Sequence, residues 1–174
     1  MKENNHLEIY NSHKVIIKLI MSGFLFVVVG IVLILLGPED GEMLIIGWLS
    51  IIFFGLGVII LIIRFFSFKP ILIVNDFGIT DNSTAIAAGF IPWSNVKSID
   101  LIDVAGVAYI SLDLYDKEGY LAKTSKFKQK VVEVNKELGF EVVLINLQTI
   151  SEDPEEVFNR IIELANKYGK KDRI

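Results

Sequence analysis

The amino-acid sequence predicts an α+β protein in which an N-terminal helical hairpin precedes a small unit of short strands with two helices. Three observations predict it. Two apolar blocks, Val15 to Leu36 and Met43 to Ile63, stand almost back to back, with only Gly37-Pro38-Glu39-Asp40-Gly41-Glu42 between them. From Ile71 onward, short apolar or alternating runs are separated by turn residues. Two stretches of helical spacing, one after Ser125 and one after Ser151, interrupt and close that series.

A helix rises about 1.5 Å per residue, so each block reaches roughly 30 Å, the hydrocarbon thickness of a bilayer. Met43 to Ile63 carries no charge, and Val15 to Leu36 carries only Lys18, one turn inside its start, where a long stem can snorkel to the headgroups. Neither block has a polar face, as a buried helix of a soluble protein would. A cleaved secretory signal has an apolar core of about 7–15 residues and a small-residue cleavage site. The first block is longer and leads into Gly37-Pro38-Glu39-Asp40 instead, which reads as a retained anchor. Lys14 and Lys18 stand at the start of the first span, and Arg64 and Lys69 follow the second. The connecting loop holds Glu39, Asp40 and Glu42 and no basic residue. Lys and Arg are retained on the cytoplasmic side, so both termini are expected there. Phe65, Phe66 and Phe68 suit an interfacial end to the second span. Gly23, Gly30 and Gly37 recur every seven residues, and Gly47, Ser50 and Gly57 form a second small-residue series. Such Gly/Ser faces let helices approach closely in lipid, either the two spans of one chain or spans of a homo-oligomer.

Lys69-Pro70 marks the boundary to the second unit, because proline disfavours helix in the residue before it. Ile71 to Val74 reads as a strand, Asn75-Asp76-Phe77-Gly78 as a turn in which Gly78 can take positive φ, and Ile79 to Asp81 as a second strand. Asn82-Ser83-Thr84 breaks that strand; it is also a glycosylation sequon, idle on the cytoplasmic side. Gly89-Phe90-Ile91-Pro92-Trp93 is an edge-like strand, since Pro92 cannot donate to a ladder. Val96 to Ile102 alternates moderately. Ala108 to Tyr115 alternates better, with Ile110, Leu112 and Leu114 on one face and Tyr109, Ser111 and Asp113 on the other. Asp116 to Gly119 closes it. Phe127, Val131, Val134 and Leu138 then fall at helical spacing, with Thr124 and Ser125 as caps and Gly139 as the stop. Val142 to Leu147 reads as a buried strand. Ser151-Glu152-Asp153-Pro154 starts the last helix, whose apolar stripe runs through Val157, Phe158, Ile161, Ile162, Ala165 and Tyr168. Gly169 ends it, and Lys170, Lys171 and Arg173 form a basic tail.

Short antiparallel strands closed by one amphipathic helix outline a small barrel or sandwich. With Lys69-Pro70, Asn75-Asp76-Phe77-Gly78-Ile79, Gly89-Phe90-Ile91-Pro92-Trp93 and the Ser151-to-Tyr168 helix, the chain resembles small bacterial membrane proteins with two N-terminal transmembrane helices and a PH-like domain. The helix near Ser125 to Leu138 is an insertion relative to a minimal PH domain. The resemblance implies a fold and a membrane address, not a catalytic site. The expected organisation is a cytoplasmic tail (1–14), first span (15–36), extracytoplasmic loop (37–42), second span (43–63), juxtamembrane linker (64–69) and cytoplasmic PH-like domain (70–174), in the bacterial inner membrane.

Of 17 Lys+Arg and 21 Asp+Glu, five of each lie in the first 69 residues, leaving the rest of the chain mildly acidic. With no large basic stripe, nucleic acid is not an expected partner. The chain has no cysteine, and its two histidines, His6 and His13, precede the first span. Phosphate-loop motifs are absent, and Asp100 with Asp103, or Asp113 with Asp116, are spaced to point to opposite strand faces and read as solvated. No catalytic residue, cofactor or metal is therefore assigned. Trp93 reads as a core anchor or, alternatively, as a partner-binding ring. Lys123, Lys126, Lys128 and Lys130 read as a solvated helix start or, with Lys14, Arg64 and Lys69, as a membrane-facing basic set on anionic lipid. The function expected is a membrane-anchored binding or scaffolding module that takes a protein segment or an anionic lipid headgroup. The alternative is an immunity protein that meets a toxin through Glu39 to Glu42.

Overall fold

The computed structural model describes residues 6–37, 39, 41–84 and 86–169. The basic tail Lys170, Lys171 and Arg173, and Pro38 and Asp40 of the connecting loop, lie outside the described residues. The chain forms two compact units: Asn11–Lys69, and Met1–Tyr10 together with Pro70–Ile174.

The first unit is a helical hairpin, α1 (His13–Leu36) and α2 (Gly41–Phe65). Both helices are long and apolar enough to cross a membrane, and only 6% of the most apolar window of each is buried. Their contact runs through the small residues. A Cβ added to Gly30 would lie 2.8 Å from the Gly47 carbonyl oxygen, and one on Gly47 would lie 2.8 Å from that of Gly30. Ser50 Oγ donates to the Phe26 carbonyl at 2.9 Å, and Phe26 stacks on Phe54 with ring centroids 4.4 Å apart. Gly23 faces Val58, whereas Gly55 and Gly57 face open space. Gly30, Gly47 and Ser50 are thus used within one chain.

The second unit begins before the hairpin. β1 (Leu7–Ile9) lies inside the segment read as a tail and pairs antiparallel with β2 (Leu72–Val74), Leu7 opposite Val74 and Ile9 opposite Leu72. Ile71 N donates to the Ile9 carbonyl at 2.8 Å. Leu7 and Ile9 are 2% and 1% exposed. β3 (Gly78–Asp81) and β4 (Gly89–Pro92) complete a sheet of order β1-β2-β3-β4, with β4 at an edge. A 3₁₀ turn at Trp93–Asn95 leads to β5 (Val96–Val104), β6 (Val107–Leu114) and, later, β7 (Val143–Asn146), a second antiparallel sheet of order β5-β6-β7. No ladder joins the two sheets among the described residues, so they do not close into a barrel.

The turns explain two glycines. Asn75 Oδ1 accepts from Phe77 N at 2.9 Å and Gly78 N at 3.2 Å, which closes the β2–β3 turn. Gly78 does not adopt positive φ as expected from the turn; it is the first residue of β3, and any Cβ there would collide with the Ile91 carbonyl of β4. Ala105 and Gly106 both take positive φ, 54° and 81°, the combination a two-residue hairpin needs to follow strand twist. Asp103 Oδ1 accepts from Gly106 N at 2.9 Å.

Three helices pack with the sheets. α3 (Lys117–Ala122) replaces the plain turn expected at Asp116 to Gly119; Asp116 caps it by accepting from Gly119 N at 2.7 Å. α4 (Lys126–Glu137) is capped by Ser125 and followed by Gly139 at φ 85°. α5 (Pro154–Tyr168) is capped by Asp153 and buries Val157, Ile161 and Leu164. One core joins Leu7, Ile9, Trp93, Ile110, Ile145 and Val157 across both sheets and α5.

Asp113 is not solvated. It is buried on the second face of β6, 2.8 Å from Lys97 Nζ and 2.5 Å from Lys117 Nζ, and Lys117 also reaches Glu141 at 2.8 Å. Lys117, in the first turn of α3, reaches this face. Hydrogen bonds from Lys117 and then Lys97 hold the Asp113 carboxyl down at about 2. An unfolded Asp titrates near about 3.9, so this stabilisation is complete above that value and is lost as pH falls through about 2.

Two predictions follow from these contacts. Ile9→Ala should destabilise the sheet unit by about 2–5 kcal/mol, the usual cost of truncating a buried Ile; thermal unfolding of the full-length protein in detergent, read by tryptophan fluorescence, measures it. Asp113→Asn should flatten the loss of stability between about pH 4 and about pH 2, read from unfolding midpoints across that range.

Candidate functional site

An apolar concavity with converging polar groups lies in the sheet unit, beside Thr84, Ile86 and Ala88 and against α4. Its volume is about 410 Å³, within the range of about 300–1,000 Å³ common for small-ligand sites. The apolar wall comes from Ile86, Val104, Val131, Leu138, Phe140 and Leu144. Polar groups enter from Tyr109 and Asn146, which face each other across β6 and β7, and from Tyr120, Lys128 and Asn135. Asn146 Nδ2 donates to Tyr109 Oη at 3.3 Å.

The rim is fixed by one buried carboxylate. Asp81, 1% exposed at the end of β3, accepts from Ser83 N at 2.8 Å and from Ala88 N at 2.6 Å, so it holds both ends of the segment it precedes. Tyr120 Oη donates to the Ala88 carbonyl at 3.1 Å, and Lys128 Nζ donates to the Ala87 carbonyl at 2.6 Å while lying 5.2 Å over the Tyr120 ring. Asn146 N donates to Ser83 Oγ at 3.3 Å, which ties the same segment to β7. Helices α3 and α4 and strand β7 thus each hold this loop by a hydrogen bond.

Electrostatics set what these groups can do. Burial first, and then the Asp81 charge, push the Tyr120 hydroxyl up to about 12, so it remains a donor at neutral pH. Burial also pulls the Lys128 ammonium below its ordinary value, opposed by Asp81. An ammonium has three donors, and one is spent on Ala87, so Lys128 can still meet an acceptor in the cavity. Both Asp81 oxygens are engaged by backbone N–H groups. Among the described residues no group of three or more His, Cys, Asp or Glu side chains gathers to hold a metal.

The residues singled out in the sequence separate. Trp93 is 1% exposed, and its Nε1 donates to the Asn75 carbonyl at 2.8 Å, so the ring is enclosed in the core and pins the β2–β3 turn. Lys128 turns inward to the cavity, while Lys123, Lys126 and Lys130 on the same stretch are exposed. Lys14, Arg64 and Lys69 belong to the hairpin unit; Lys14 and Lys69 are exposed and Arg64 is half-buried. Asp81 and Tyr120 carry no motif and were not singled out; Asp81 before Asn82-Ser83-Thr84 is the one sequence cue, an acidic residue ahead of a loop whose N–H groups need acceptors.

No family model, curated protein or solved structure matches this chain.

Replacing Asp81 by Ala removes the acceptor for two N–H groups, at a cost of about 1–3 kcal/mol. Hydrogen exchange should accelerate at Ser83 and Ala88 in Asp81→Ala and remain slow in α5.

Proposed function

We propose that this chain is a membrane-anchored binding module: the hairpin crosses the bacterial inner membrane twice, and the sheet unit, a PH-like domain, lies on the cytoplasmic side and binds its ligand without turnover. One observation carries the reading. Two outward-facing apolar helices are inserted between strands that pair with each other, β1 and β2. Strands of one sheet must lie on one side of a bilayer, so a hairpin placed between them crosses an even number of times. Only residues 10–12 connect β1 to α1, and only residues 66–71 connect α2 to β2. The second linker reaches at most about 20 Å when extended.

The sidedness rests on Lys14, Lys18, Arg64 and Lys69 at the sheet end of the hairpin and Glu39, Asp40 and Glu42 at the other. Binding rather than catalysis is favoured by the cavity: Tyr120 is held as a donor, Asp81 is occupied by backbone N–H groups, and the walls are apolar. The ligand that fits presents an apolar body and an acceptor end for Lys128, as a protein segment or a lipid headgroup with its acyl portion would.

The cysteine-free sequence makes the topology directly readable. Glu39→Cys should react with a membrane-impermeant maleimide in intact cells. Glu163→Cys, on the exposed face of α5, should react only after permeabilisation. Equal labelling of both in intact cells, or release of the protein by alkaline carbonate, would overturn the proposal.

A further inference from the structure

Helix α4 carries its apolar stripe on the wrong side for a core helix. Of its twelve residues only Val132 is buried, whereas Phe127 is 67% exposed, Val134 54% and, just past the helix end, Leu138 66%. Val131, between them on the same face, is half-buried at the mouth of the cavity. These four are one row at spacings of four, three and four residues. Lys126 and Lys130 on α4, and Lys123 just before it at the end of α3, are exposed. From Lys123 to Leu138 there are five lysines and two glutamates, a local excess of three positive charges in a chain whose net charge is −4.

We propose that α4 is an interfacial helix, which lays Phe127, Val131, Val134 and Leu138 among the headgroups of the anionic leaflet while Lys123, Lys126 and Lys130 meet the lipid phosphates. The inference rests on the membrane-anchored reading above and assigns it a lipid contact. An exposed apolar row flanked by lysines is the composition of helices that lie in a membrane surface. A second copy of the chain fits poorly, because pairing two such rows would bring their lysines together. The hairpin supplies the remaining argument: a domain on short linkers from two spans meets the leaflet as an intramolecular partner, so even a weak surface affinity is filled. Lys128 does not belong to this outer set, since its side chain turns inward to the cavity. Docking by α4 would set the cavity mouth, which shares Val131 and Leu138 with the row, beside the headgroups.

The test uses the full-length protein in nanodiscs, with a single bimane at Val134→Cys or Leu138→Cys and a control label at Glu163→Cys. In discs containing phosphatidylglycerol, the α4 labels should shift to the blue and be quenched by a lipid bearing a shallow nitroxide, and the control should be neither. Pure phosphatidylcholine discs, or the triple change of Lys123, Lys126 and Lys130 to Glu, should abolish both signals. Phe127→Ser, at an exposed position that leaves the core untouched, should weaken the quenching. Discs that form normally but give α4 labels no more quenched than the control would overturn the α4 assignment alone. So would quenching indifferent to lipid charge, or a blue shift in lipid-free detergent that grows with protein concentration, the mark of a second copy. Failure of the protein to enter discs at all would instead overturn the membrane reading.

Discussion

The pairing of β1 with β2 is the constraint on which the rest of this chain depends. It joins residues 7–9 to residues 72–74 across the whole apolar hairpin. Leu7 and Ile9 each place a buried side chain in the core, worth about 1.5–3 kcal/mol apiece relative to exposure. Closing a long flexible loop to obtain that pairing is entropically unfavourable, though the cost rises only with the logarithm of loop length. A preformed α1–α2 hairpin removes most of that cost, because the Gly30–Gly47 contact already folds the intervening chain back on itself. In the proposed membrane arrangement, a hairpin already formed lowers the cost of bringing β1 to β2. The sheet unit is then incomplete without the residues that precede the first helix.

The same pairing shows where the sequence was legible and where it was not. The two apolar helices were readable because each block runs for about twenty residues with no polar face and at most one charge. The α5 stripe was readable because Val157 and Ile161 repeat at helical spacing behind an Asp153-Pro154 start. β1 was not, since Leu7-Glu8-Ile9 offers one alternation, too short to separate a strand from a tail. Its role comes from a partner more than sixty residues away. α3 was hidden by Gly119, which reads as a turn residue; it is helical because the Asp116 carboxylate caps the Gly119 N–H and leaves no room for a Cβ. Lys117 on that helix is one of the two cations that meet Asp113, so missing α3 hid one of its partners.

The candidate site was legible only in part, for a related reason. Four lysines between Lys123 and Lys130 look like one basic cluster in a string of letters. On the helix, Lys128 lies toward the cavity and finds the Ala87 carbonyl and the Tyr120 ring, while Lys126 and Lys130 lie away from it. Periodicity gave the row Phe127, Val131, Val134 and Leu138, but an apolar row states only that something covers it. Whether the cover is the protein's own core or an external surface depends on packing, which here buries Val132 instead.

Segment 82–88 shows how these two features bear on one another. Its described residues join no ladder, and they are held by Asp81, by the Ser83–Asn146 bond at the β7 side, and by Tyr120 and Lys128 from α3 and α4. Anything that moves α4 moves Lys128, and Lys128 is bonded to the loop that forms the cavity rim. A lipid contact on the outer row of α4 and a ligand in the cavity would then act on the same helix from adjacent faces. The coupling needs no long pathway, because Val131 and Leu138 belong to both surfaces. Val131 and Leu138 place the exposed row of α4 at the edge of the cavity.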